Sequence, residues 1–293
     1  MLVRGFRAPA FGRPRNDQRG RAGNDQRTLR RLSDSVLVPV ACAFALLLCA
    51  TPAIAGEIAA ADRRSDYEVM SRDTQAMQDD DSANPGMLWV VEGEALWARK
   101  AGDAERSCND CHGDARTSMK GVAARYPTFD ATRGRPMDLE ERIISCRIEH
   151  QKASPFAYES KDLLSLMAYV AHQSRGMPIT TGDDERLKPF IATGREIFNR
   201  RQGQLNLSCA QCHDDNWGKK LAGNIVPQGH PTGYPLYRLE WQGLGSLQRR
   251  LRACLFGVRA EPYPFGAPEN VALELFLMSR ARSMAMDTPA VRP

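Results

Sequence analysis

The sequence predicts an all-α protein built from two tandem copies of one small helical domain, related by duplication and preceded by a cleaved signal peptide. Two observations carry this. First, Gly93-Glu94-Ala95-Leu96-Trp97 leads to Cys108-Asn109-Asp110-Cys111-His112, and Gly194-Arg195-Glu196-Ile197-Phe198 leads to Cys209-Ala210-Gln211-Cys212-His213, with fifteen residues from glycine to cysteine in both. Second, each unit ends in an apolar stripe at helical spacing, Leu166, Tyr169 and Val170 in one and Leu273, Phe276 and Leu277 in the other. A single stripe is an ordinary core helix; a stripe that recurs with the same cysteine pattern marks a repeat.

In chain order, residues 1–55 read as the signal peptide. Nine arginines and three acids precede an uncharged apolar run from Val36 to Ala50, and Ala53-x-Ala55 supplies the small-residue cleavage site. The run is short for a membrane span, which needs about 20 residues, so no membrane anchor is expected. Cleavage implies a periplasmic protein. It also changes the electrostatics: the full chain is formally +5, whereas residues 56–293 keep 31 basic and 32 acidic side chains. The basic surplus belongs to the leader, so no nucleic-acid partner is implied.

Residues 56–85 form a polar lead-in ending in Asp79-Asp80-Asp81, with one helix expected around Tyr67–Met77 and no core of its own. The two domains are expected at 86–180 and 181–293. Their first helices run from Gly93 and from Gly194, and their last helices span Leu163–Gln173 and Pro268–Arg282.

The CxxCH runs are the most specific chemistry in the chain. Two thiols one turn apart add across the vinyl groups of a porphyrin, and the adjacent histidine turns onto the iron. Cys108 and Cys111 would hold one haem c covalently with His112 on its iron; Cys209 and Cys212 would hold a second with His213. A zinc site would need two such pairs to converge, and here each pair sits in its own repeat. Two class I cytochrome c domains with two covalently bound haems follow.

Cytochromes of this class usually complete the iron with a methionine from the loop after CxxCH. Between Asp214 and Asn270 there is no methionine; the donors are His230, Cys254, Lys219 and Lys220. Only cysteine occupies a matching place in both repeats. Arg142-Ile143-Ile144-Ser145-Cys146 parallels Arg250-Leu251-Arg252-Ala253-Cys254, each with an arginine one helical turn before the sulfur. Cys146 and Cys254 are therefore the expected distal iron ligands. A disulfide between them, a buried inert thiol, and His230 as ligand are the alternatives. A thiolate on iron stabilises the ferric state and lowers the potential. The expectation is also that Arg249, Arg250, Arg252 and Arg259 crowd Cys254 and suit it to a small dianion.

At these residues the chain resembles the SoxA family, the cytochrome subunit of the periplasmic SoxAX complex of bacterial thiosulfate oxidation. The resemblance runs over the whole mature chain. It includes Asn84-Pro85-Gly86-Met87-Leu88-Trp89-Val90, Gln173-Ser174-Arg175-Gly176-Met177-Pro178-Ile179 and, most specifically, Val258-Arg259-Ala260-Glu261-Pro262-Tyr263 after Cys254. Two CxxCH motifs place it with the diheme branch. The resemblance implies an L-cysteine S-thiosulfotransferase that joins thiosulfate to a cysteine of the carrier SoxYZ, with a monohaem SoxX-type partner and cytochrome c as electron acceptor. It also implies Cys254 as the catalytic, persulfide-forming sulfur, Arg250 as the substrate-binding arginine, and Cys146 as distal ligand of the first haem. The rivals are a thiosulfate dehydrogenase forming tetrathionate, a plain diheme electron carrier and a diheme peroxidase. The lead-in and the run after Cys254 argue against the first, the Met-free loop against the second, and a cysteine ligand against the third, which needs an open haem.

Overall fold

The computed structural model describes residues 58–293; the expected signal peptide lies outside them. In the lead-in, a short turn at Asp66–Val69 precedes α1 (Arg72–Asp79). The single helix expected around Tyr67–Met77 is thus broken at Met70. The cause is Ser71, whose hydroxyl accepts from Thr74 N and starts a new helix there.

Repeat one contains α2 (Met87–Ala98), α3 (Cys108–His112), α4 (Ala115–Ser118), strands β1 (Thr128–Asp130) and β2 (Arg135–Met137), α5 (Leu139–Cys146) and α6 (Lys161–His172). Repeat two contains α7 (Lys188–Asn199), α8 (Cys209–His213), strands β3 (Lys220–Leu221), β4 (Asn224–Ile225), β5 (Leu236–Arg238) and β6 (Gly243–Gly245), then α9 (Leu247–Gly257) and α10 (Pro268–Arg280), and closes with β7 (Val291–Arg292). The all-α expectation holds for the core but not for the loops. The β1–β2 and β5–β6 hairpins are antiparallel, and β7 adds to β5 in parallel. Strands of two or three residues are too short to leave a two-residue periodicity in the sequence.

The helices cross where the glycines predict. At Gly93 an added Cβ would strike the carbonyl oxygen of Ser165 on α6, and at Gly194 that of Ala272 on α10. Backbone contact at the crossing lets the neighbouring large residues interdigitate: Leu96 and Trp97 with Leu163, Leu166 and Tyr169, and Ile197 and Phe198 with Leu273, Phe276 and Leu277.

The lead-in is more than a solvated arm. Gln78 is buried and its side-chain oxygen accepts the Val291 N–H at 3.0 Å; Asn84 donates to Pro289 O at 2.9 Å. Gln228 accepts from Arg64 N and donates to Asp62 O. Polar side chains do the docking, so an apolar pattern could not reveal it. The connection between repeats is likewise tied to the C-terminal tail, with Gly176 N donating to Met286 O and Ile179 N to Met284 O. Among the described residues no helix is long and apolar enough to cross a membrane.

Candidate functional site

The two CxxCH runs are short helices with matching caps. Ser107 Oγ accepts from Asp110 N at 3.1 Å while Asp110 Oδ2 accepts from Ser107 N at 2.8 Å. Ser208 Oγ accepts from Gln211 N at 3.2 Å and Gln211 Oε1 from Ser208 N at 3.0 Å. These capping boxes fix one helical turn at each motif, which puts both cysteines on one side and the histidine at the turn's end.

His213 is positioned from three directions. Its Nδ1 lies 2.8 Å from Pro227 O, its ring packs on Phe198 at 6.4 Å, and Gly229 at φ +72° leaves space where a Cβ would stand 3.3 Å from the ring. With Nδ1–H donating to the carbonyl, Nε2 keeps its lone pair for a metal. Cys254, on α9, faces this imidazole within hydrogen-bonding reach. The donor set therefore fits a c-type haem, with thiols for covalent attachment, one imidazole and one opposing sulfur.

The sulfur's environment is electropositive. Burial pushes the Cys254 thiol up, but the His213 hydrogen bond and the charges of Arg250 and Arg238 outweigh it and hold the pKa at about 7. By contrast burial drives Cys209 up to about 12. The Arg250 guanidinium forms no hydrogen bond or ion pair with any described residue, and it is mostly buried one turn before the sulfur.

The expected crowd of arginines is not what the fold builds. Arg249 lies over the ring of Trp241 at 4.3 Å and donates to Leu244 O. Arg252 lies over Phe265 at 4.5 Å and donates to Tyr263 O. With Ala253 and Phe256 they line a surface cavity on the far face of α9, because a 100° advance per residue carries 249, 252 and 256 away from 250 and 254. The groups facing Cys254 besides Arg250 are Arg238 on β5 and the half-buried Tyr234; Asp66 of the lead-in lies beside Arg250 and Tyr234. None of these three was picked out from the sequence. The spacing between repeats carried the signal, since Tyr234-Pro235 and Arg238 stand 108 residues after Tyr126-Pro127 and Asp130.

The first site is looser. Trp97 Nε1 donates to Gly113 O at 3.0 Å and its ring lies 5.7 Å from that of His112, which is exposed. Cys146, at the end of α5, lies close to Cys108 and Cys111. Cys146 and Cys254 are both free, so the disulfide alternative fails. His230 is also set aside: it is buried, its Nδ1 lies 3.0 Å from Arg64 O, and burial pushes its pKa down to about 4. It anchors the lead-in, while Cys254 takes the place opposite His213.

Two helical repeats, each presenting a capped CxxCH turn, define a c-type cytochrome with tandem cytochrome c domains. The chain belongs to the SoxA/TsdA cytochrome c family, whose domain model matches residues 92–179 and 193–286. It is 39% identical over 226 residues to the L-cysteine S-thiosulfotransferase subunit SoxA of Pseudaminobacter salicylatoxidans, covering 77% of this chain and 78% of that one. It is 36% identical to the corresponding SoxA of Rhodovulum sulfidophilum over 78% of this chain and 80% of that one. A chain in the crystal structure of SoxXA from P. pantotrophus superposes with a TM-score of 0.76 at 31% identity, covering 79% of this chain and 87% of that one.

Proposed function

We propose that this chain is the periplasmic diheme subunit of an L-cysteine S-thiosulfotransferase. It works with a SoxX-type monohaem cytochrome and joins thiosulfate oxidatively to a cysteine of a SoxYZ-type carrier. The observation that carries the reading is Cys254, an electropositively held sulfur opposite His213, with the unpartnered Arg250 guanidinium one turn away. The names of the similar proteins agree with it.

The net reaction is R–SH + S₂O₃²⁻ → R–S–S–SO₃⁻ + H⁺ + 2e⁻, with two equivalents of cytochrome c taking the electrons. Arg250 holds the sulfonate by charge-assisted hydrogen bonds and aims the sulfane sulfur at Cys254. The Cys254 sulfur, as thiolate or persulfide, forms the new S–S bond with loss of two electrons; written for the thiolate, Cys–S⁻ + S₂O₃²⁻ → Cys–S–S–SO₃⁻ + 2e⁻. The carrier thiol then loses its proton and attacks that disulfide. Its thiolate takes the sulfane sulfur together with the sulfonate and returns the Cys254 thiolate. Haem c, when bound on Cys209 and Cys212, supplies a one-electron sink beside the sulfur.

The test is the chain reconstituted with its monohaem partner and carrier. Thiosulfate should reduce cytochrome c only when carrier is present, and a pyridine haemochrome assay should find two haems per chain. Tetrathionate formed without carrier would instead establish the thiosulfate dehydrogenase reading.

A further inference from the structure

The two distal-cysteine pockets are built on one plan and differ in how the arginine before the sulfur is partnered. Asp130, Arg142 and Cys146 of repeat one correspond to Arg238, Arg250 and Cys254 of repeat two, each 108 residues on. The elements agree: Asp130 ends β1 and Arg238 ends β5, and both hairpins run directly into the helix carrying the cysteine, capped at Asp138 and at Ser246.

In repeat one the arginine is satisfied internally. Arg142 Nη2 donates to Asp130 Oδ2 at 2.7 Å, Arg133 adds a second contact at 3.6 Å, and the Asp130 side chain is only 7% exposed. In repeat two the carboxylate has become a second guanidinium and Arg133 has become Trp241. Arg238 lies over Trp241 at 5.4 Å and pairs at 3.0 Å with Glu240, which is 65% exposed. Its Nε is buried without a hydrogen-bond partner. Two guanidiniums thus sit beside one sulfur, and although Asp66 and the exposed Glu240 lie near, no carboxylate among the described residues forms an ion pair with Arg250 as Asp130 does with Arg142. Like charges in a part-buried site repel, and the buried Arg238 Nε has no acceptor to offset the cost. An anion with several oxygens relieves both that repulsion and the orphaned donor.

We infer that Arg238 is a second substrate-binding residue, clamping the sulfonate of thiosulfate together with Arg250, and that arginine in place of the Asp130 carboxylate is what opens this pocket to an external dianion. The inference rests on the proposed reaction for the identity of the anion. In repeat one the protein supplies the carboxylate itself, and that pocket is closed to such ligands.

The test uses the haem-loaded complex with Arg238→Lys, Arg238→Gln and Arg238→Asp. Arg238→Gln should raise KM for thiosulfate about tenfold with a smaller change in kcat, and Arg238→Lys should recover part of the loss. Arg238→Asp should rebuild the repeat-one pair with Arg250 and raise KM about a hundredfold or more. Calorimetric titration of the oxidised complex with thiosulfate, without carrier or acceptor, reads binding apart from turnover. Weakened binding in Arg238→Asp, with the paramagnetic resonance signals of both haems unchanged, supports the clamp even if the transfer reaction is not the right one. Wild-type binding in Arg238→Asp with unchanged spectra overturns it, and turnover without carrier in the wild type overturns the reaction alone.

Discussion

His213 Nδ1 lies 2.8 Å from the carbonyl oxygen of Pro227, and this one bond decides which ring nitrogen is left for a metal. The carbonyl can approach because Gly229, two residues on, turns with φ +72° directly against the ring. Gly229→Ala should cost about 1–2 kcal/mol for the left-handed backbone and tilt the imidazole. Thermal denaturation and the haem 2 resonance signal check it: a lower Tm with a shifted signal is expected, and an unchanged signal would mean that Pro227 alone orients the ring.

A second prediction concerns pH. Asp138 caps α5 through Glu141 N at 2.7 Å and accepts from Gln248 of α9 at 2.7 Å, joining the two repeats. Burial raises its pKa to about 6, and the buried Glu140 and half-buried Glu274 nearby are raised well above the usual carboxylate range by the same cause. An unfolded aspartate titrates near 3.9. The folded state therefore binds more protons between about pH 4 and 6, and stability falls as pH rises through that window. The effect of Asp138 is up to about 3 kcal/mol. Asp138→Asn should flatten that part of the slope in chemical denaturation at pH 4, 5, 6 and 7; an unaltered slope would remove Asp138 from the account.

Arg250 should matter as a fork, not only as a charge. Arg250→Ala should lose a charge-assisted contact of roughly 1.5–3 kcal/mol, about ten- to a hundredfold in kcat/KM for thiosulfate. Arg250→Lys should recover only part of it. Steady-state turnover with partner and carrier measures both. Wild-type efficiency in both variants would mean that the sulfonate is held elsewhere.

Haem 1 should be dispensable for the sulfur chemistry, because Arg142 beside Cys146 is already neutralised by Asp130. Cys146→Ala should change the haem 1 spectrum while most turnover survives. Complete loss of activity in a folded, fully loaded variant would show that electrons must pass through the first site.

The parts legible in the sequence were those fixed by local spacing. CxxCH needs one helical turn, the glycines mark helix crossings, and Arg250 and Cys254 share a face whatever the tertiary context. What was hidden depended on direction or on polar docking. Arg249 and Arg252 are close to Cys254 in sequence, yet the helix carries them to Trp241 and Phe265 on its far side. Arg238 approaches the sulfur from a hairpin sixteen residues earlier, and only its 108-residue spacing from Asp130 in the first repeat announces it. The lead-in is held by Gln78, Asn84 and Gln228, whose amide bonds leave no apolar pattern to read.

Whether the Cys254 sulfur carries thiosulfate to the carrier is read most directly from the carrier's mass after reaction. Incubated with thiosulfate, oxidised cytochrome c and the wild-type complex, the carrier should gain one thiosulfonate group on its cysteine. With Cys254→Met, both haems attached and the haem 2 potential shifted upward as a thioether ligand requires, the carrier should stay unmodified. A carrier modified at the wild-type rate by that variant would contradict the account.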